Sequence, residues 1–136
     1  MDSRKENEHF LEKQVIHVKH SLFKSFECSA RGVARVALTQ RSFRIQLLIF
    51  ALVIIAGFIF HISNNEWLFV ILVSGMVLSL EMINTALEYI IDLVTEEYKV
   101  HVKHIKDITA GAVLVSSLIA FVGGLIIFIP HLLALF

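Results

Sequence analysis

The sequence predicts an all-α integral membrane protein: an amphipathic N-terminal surface helix followed by three transmembrane helices. Three observations carry this expectation. The 136-residue chain is 57% hydrophobic, with a mean hydropathy of +0.76, more apolar surface than a soluble domain of that size could bury. It contains three long stretches that are nearly free of charge. Its lysines and arginines gather in two places and are missing from the 63–66 link and from everything after Asp107. The length suits one domain, residues 1–136. The net charge is zero, and nothing in the chain calls for a nucleic-acid partner.

Residues 1–12 are mostly polar. From Lys13 to Leu38 the pattern is helical: Val15, Val18, Leu22, Phe26, Ser29 and Val33 fall within about 80° of one another on a helical wheel. Lys13, Lys24, Arg31 and Arg35 cluster on the other side. Residues 13–38 are therefore expected to lie in the membrane interface with the apolar face down, anchored to anionic lipid and also able to cover a site beneath. Gly32 is a candidate bend. The single cysteine, Cys28, excludes an internal disulfide.

The three spans are expected at residues 45–62, 67–92 and 108–134. Between Arg44 and Glu66 there is no Asp, Glu, Lys or Arg, and none follows Asp107. A helix needs about 20 residues to cross the hydrocarbon core, and helix is the default because lipid satisfies no backbone group. The link Ser63-Asn64-Asn65-Glu66 is short enough to force an antiparallel hairpin, with Trp67 at the interface. Nine lysines and arginines precede Ile45, and the other three, Lys99, Lys103 and Lys106, lie in the second link. The positive-inside rule then places the N-terminus and second link in the cytoplasm and the C-terminus outside.

The second span carries the unusual chemistry. Residues 67–80 are uncharged, and then Glu81, Asn84, Thr85, Glu88 and Asp92 appear among apolar neighbours. At about 100° per residue, Glu81, Asn84, Glu88 and Asp92 fall at about 0°, 300°, 340° and 20°, a single polar stripe. A carboxylate facing lipid is costly, so the stripe must face protein, water, a cation or a substrate. One reading is that the carboxylates pair with basic residues and hold helices together. The other is a site built to handle charge, with two glutamates and an amide on one arc near a membrane surface.

At the third span, Lys106 and Asp107 admit two readings. Lys106 binds phosphate beside a helix N-terminus, or it snorkels while Asp107 caps the helix. Ala112, Ser116, Ala120 and Gly124 recur every four residues and allow close helix approach. His17 with His20, and His101 with His104, are spaced three apart. Without a supporting set of ligands they are read as solvated rather than as a zinc site.

The run Glu81-Met-Ile-Asn84-Thr-Ala-Leu-Glu88-Tyr-Ile-Ile-Asp92 closely resembles the signature of the small bacterial diacylglycerol kinase family, which includes the undecaprenol kinases. The likeness continues through Lys106-Asp107-Ile-Thr-Ala110-Gly-Ala-Val-Leu114, covers Arg31-Gly32 and Phe43-Arg44, and spans roughly residues 20–130. It implies a homotrimer of three-span subunits in the bacterial inner membrane. It implies transfer of the γ-phosphoryl group of ATP, with Mg2+, to a membrane lipid alcohol in phospholipid or cell-envelope lipid metabolism. By the same resemblance Glu81 is the general base, assisted by Asn84. Glu88 ligates metal, with Gln40 at the position of a second metal-ligating glutamate. Glu88, Gln40, Glu97, Tyr98, Lys106 and Asp107 contact the nucleotide, and Glu81, Arg44 and Ala110 contact the lipid. Gln40 departs from the family pattern, since an amide brings no charge to the metal. Ser21 and Cys28 replace an arginine and a tyrosine of the diacylglycerol kinase branch. The stretches at Ala110–Leu114 and Gly124–Pro130 resemble the undecaprenol kinase branch more, so undecaprenol is the favoured acceptor over diacylglycerol. A weakly active scaffold of the same fold and a proton or cation conductor are the alternatives.

Overall fold

A computed structural model describes residues 22–94 and 100–135. These form four helices: α1 (Leu22–Thr39), α2 (Arg41–Ile59), α3 (Asn64–Val94) and α4 (Val100–Leu133), with no strand among the described residues. The last three are each long and apolar enough to cross a membrane. The expected surface helix is described only from Leu22; residues 13–21 lie outside the described part.

The chain divides into two units between Gly32 and Val33. In the described part of the first, Leu22–Gly32, the Arg31 guanidinium reaches Glu27 at 3.9 Å and the Cys28 sulfur at 3.3 Å. Phe23, Phe26 and Cys28 are exposed there.

In the second unit α3 is the central helix, packing against both α2 and α4. The junction between α1 and α2 is a single non-helical residue, Gln40, in extended conformation. Arg44 secures it by donating to the Leu38 carbonyl at 3.1 Å, so a cation answers a carbonyl left free at the end of α1. Val36 and Phe43 are buried on either side of the corner.

The hairpin between α2 and α3 is built from two caps. The Ile62 N–H donates to the Gly57 carbonyl at 3.2 Å and the His61 N–H to Phe58 at 3.3 Å, a Schellman pair that closes α2. It needs a left-handed residue, and His61 takes that conformation with φ 49°. Ser63 then opens α3. Its N–H and Oγ both donate to the Glu66 carboxylate at 2.7 Å, and its carbonyl accepts from Trp67 at 2.9 Å. This is a capping box, and Ile62 and Trp67 flank it in one apolar cluster with Val70 and Ile127, as a hydrophobic staple does. Trp67 also explains Gly57. A Cβ there would stand 2.7 Å from the indole ring, so only glycine allows the approach.

The helices differ in length. At 1.5 Å per residue α2 is about 28 Å long, close to the thickness of a hydrocarbon core, while α3 and α4 are about 46 and 51 Å. All three start level at the hairpin end or finish there, so α3 and α4 outrun α2 at the other end. The link expected between spans two and three is therefore largely helical: α4 already runs from Val100. Polar residues such as Lys103, Lys106 and Asp107 bar a segment from lipid without barring it from a helix.

A carboxylate site at the overhanging end

Glu81 is buried, at 5% exposure, and turns toward α2. Ser42 Oγ donates to its Oε1 and Gln46 Nε2 to its Oε2 at 3.3 Å. Ser42 and Gln46 are one helical turn apart, so α2 presents both to one carboxylate. Neither stands out in the sequence, because their role depends on the register of α2 against α3. Thr85 Oγ1 bonds back to the Glu81 carbonyl at 2.9 Å and satisfies its own buried hydroxyl. Since Ser42 lies in the first turn of α2, Glu81 stands level with the start of that helix.

Asn84 has a different partner from the one expected. Its Nδ2 donates to Glu88 Oε1 at 3.2 Å, so it orients Glu88, while Glu81 is oriented from α2. Both acidic residues lie within one turn of Asn84, and spacing alone does not choose between them. Two amide oxygens here are buried without a donor: Asn84 Oδ1 and Gln46 Oε1. An unmade bond of this kind costs about 1–3 kcal/mol, so each oxygen is left to a donor from outside these side chains, water included.

Asp92 pairs with Lys106 at 2.8 Å, tying the end of α3 to α4, and Lys106 is also close enough to feel the charge of Glu88. Both expectations for the start of the third span change. Because α4 begins at Val100, Lys106 and Asp107 lie inside the helix. Asp107 is no N-cap, and no helix N-terminus opens at Lys106. Asp107 and Ala110 are exposed, and Gln40 is half-buried without a side-chain bond at its α2 cap position. Arg44, expected at the lipid, donates to Leu38. Glu97 and Tyr98 lie outside the described residues. Tyr89 adds a contact that sequence reasoning missed, its hydroxyl 3.3 Å from Thr39 Oγ1 at the end of α1.

Among the described residues, no three His, Cys, Asp or Glu side chains gather as a metal cage. The His101 and His104 rings meet edge to face, 6.4 Å apart. Magnesium needs no such cage, since it keeps waters and binds through one or two carboxylates with phosphate oxygens. The Glu88 carboxylate, held by Asn84 Nδ2, is a hard oxygen donor of the kind such an ion takes, so this site fits one.

Beside these residues, an apolar cavity of about 380 Å3 lies among α2, α3 and α4. The small-residue row divides over it. Ser116 is buried, its Oγ donating to Val113 at 2.8 Å, while Ala120 and Gly124 line the cavity.

Three apolar spans with buried carboxylate and amide groups at one end define a membrane protein whose polar chemistry lies at one end of its helices. Comparison with known proteins says which. The family described as prokaryotic diacylglycerol kinase matches residues 27–128. The undecaprenol kinase of Bacillus subtilis (strain 168) is 40% identical over 110 residues, covering 81% of this chain and 89% of that protein. The diacylglycerol kinase of Synechocystis sp. is 36% identical over 126 residues, covering 92% of this chain and 72% of that one. The chain belongs to the prokaryotic diacylglycerol kinase family and is a lipid kinase.

Proposed function

We propose that the protein transfers the γ-phosphoryl group of ATP to the hydroxyl of a membrane lipid alcohol, with undecaprenol the first candidate and diacylglycerol the second. The observation that carries this is the placement of Glu81: a buried carboxylate, gripped by Ser42 and Gln46, level with the start of the shortest span. If α2 just crosses the hydrocarbon core, Glu81 stands at its cytoplasmic boundary, where lipid hydroxyls are. The overhanging ends of α3 and α4 then project into the headgroup layer and cytosol, where nucleotide is available. Lysine and arginine placement supports that orientation.

The acceptor oxygen attacks the γ-phosphorus, its proton passes to Glu81, and the bond to the β–γ bridging oxygen breaks to release ADP. Phosphoryl transfer asks mainly for positioning and charge neutralisation. Magnesium, when bound, neutralises charge on the phosphates. Glu88, oriented by Asn84, and Gln40 are its proposed ligands. Lys106, with Asp107, Glu97 and Tyr98, is proposed to hold the nucleotide, Lys106 exchanging Asp92 for phosphate. Arg44 and Ala110 are proposed lipid contacts, with Arg44 also holding the α1–α2 corner.

We assign residues 1–136 to one lipid kinase domain, working as a homotrimer in the bacterial inner membrane with α1 in the interface. The exposed Phe23 and Phe26 suit the last point, and the many exposed apolar residues of the spans suit contact with lipid and with other copies. Incubating the purified protein with labelled ATP, magnesium and each lipid alcohol tests the function. A labelled lipid phosphate supports it. No labelled lipid with either alcohol refutes it and leaves a scaffold, and ion flux without ATP turnover points to a conductor.

A further inference from the structure

We propose that Tyr89 is a positioning residue for the metal site, its hydroxyl tying the end of α1 to α3 so that Gln40 is held level with Glu88. This rests on the magnesium ligands proposed above and adds what sets one against the other. Gln40 does not place itself. It is the single non-helical residue between α1 and α2, in extended conformation, and its side chain caps nothing. The Arg44 bond to Leu38 stays within the corner and does not reach α3.

Two ties fix that corner against α3. On one side of Gln40, Ser42 donates to Glu81. On the other, Thr39 Oγ1 lies 3.3 Å from the Tyr89 hydroxyl. From Glu81 to Tyr89 is about 12 Å of helix. Gln40 lies between the ties on one strand of chain, and Asn84 and Glu88 lie between them on the other. Glu88 is already oriented by Asn84, so the corner is the part left to be placed. The hydrogens give the second tie a direction. Thr39 Oγ1 has one hydrogen, and it goes to the Arg35 carbonyl at 2.9 Å. Only lone pairs remain to face Tyr89, so the tyrosine O–H donates.

Three substitutions in the full-length protein test this. Tyr89→Phe removes the donor and keeps the ring. Thr39→Val removes the acceptor and keeps the branched shape, and Thr39→Ser keeps the hydroxyl. Mn2+ stands in for magnesium, and its complex with a non-hydrolysable ATP analogue is titrated onto each protein by electron paramagnetic resonance, without lipid alcohol. Tyr89→Phe and Thr39→Val should each weaken binding of the complex by about threefold, and the two together by no more than either alone. Thr39→Ser should bind as wild type does, and the metal-free analogue should bind all of them equally. In turnover, Tyr89→Phe should raise the magnesium concentration for half-maximal activity by the same factor and leave kcat at saturating magnesium unchanged.

Wild-type binding of the Mn2+ complex by Tyr89→Phe overturns the proposal, and a lowered melting temperature beside that intact binding makes the tie purely structural. Equal losses with and without metal also overturn it, because they place Tyr89 at the nucleotide. A wild type that binds the complex, loses it in the two variants and phosphorylates no lipid alcohol supports the tie and removes only the kinase function. A wild type that binds no complex removes the metal site, and this proposal with it.

Discussion

Two glutamates of α3, Glu66 and Glu81, sit in opposite circumstances, and the contrast separates structure from chemistry in this molecule. Glu66, at the hairpin, accepts from the Ser63 N–H and Oγ, and His131 stands 3.9 Å away. The Ser63 bonds close a helix end, and His131 reaches across from α4. Glu81 is more deeply buried and caps nothing. It is held from a second helix, by Ser42 and by Gln46, whose own amide oxygen has no donor. A carboxylate with a local, complete set of bonds is a fastener. One held from elsewhere next to incomplete groups is poised for a ligand.

Replacing each by glutamine should separate the two roles. Glu81→Gln should cut lipid phosphorylation by about 1,000-fold and leave the melting temperature nearly unchanged, since an amide still bonds to Ser42 and Gln46. Glu66→Gln should do the reverse: turnover within about twofold of wild type and a small but measurable drop in melting temperature, from the weakened capping box. Comparable turnover in the two variants would erase the distinction. At the hairpin end, Gly57→Ala should lower stability by about 1–3 kcal/mol, because Trp67 has to move, with little change in KM for either substrate. A thermal unfolding curve matching wild type would show that the indole gives way freely.

At the chemical end, Gln40→Glu should lower the magnesium concentration needed for half-maximal activity by about threefold, by adding a charge beside the ion. An unchanged requirement would place Gln40 outside the metal's surroundings. The smallest effect is topological. An impermeant thiol reagent should label the exposed Cys28 from the cytoplasmic side of sealed vesicles only, and labelling from the other side would invert the orientation.

The spans were legible because the gaps between charges are long, and helix is the one simple way for such segments to satisfy their backbone in lipid. The stripe from Glu81 to Asp92 was legible because 3.6-residue periodicity places its members on one face. The partners of its members were harder to see. Ser42 and Gln46 reach Glu81 across 35 and more positions of sequence, and only the packing of α2 on α3 brings them there. Asn84 had two acidic neighbours within reach, and the deep one was already held from α2. The capping box at Ser63–Glu66 was missed, read only as a short link, although a serine three residues before a glutamate at the head of an apolar run is its signal. The early start of α4 was hidden because apolar periodicity marks where lipid begins, while the helix itself begins earlier.

The most direct test of Glu81 as the base is a single-turnover experiment with γ-labelled ATP, magnesium and undecaprenol, run on wild-type and Glu81→Gln protein after nucleotide binding has been measured for each. Wild type should pass its label to the lipid, and the variant should bind ATP with similar affinity and transfer essentially none. Transfer by the variant at the wild-type rate would contradict the assignment outright.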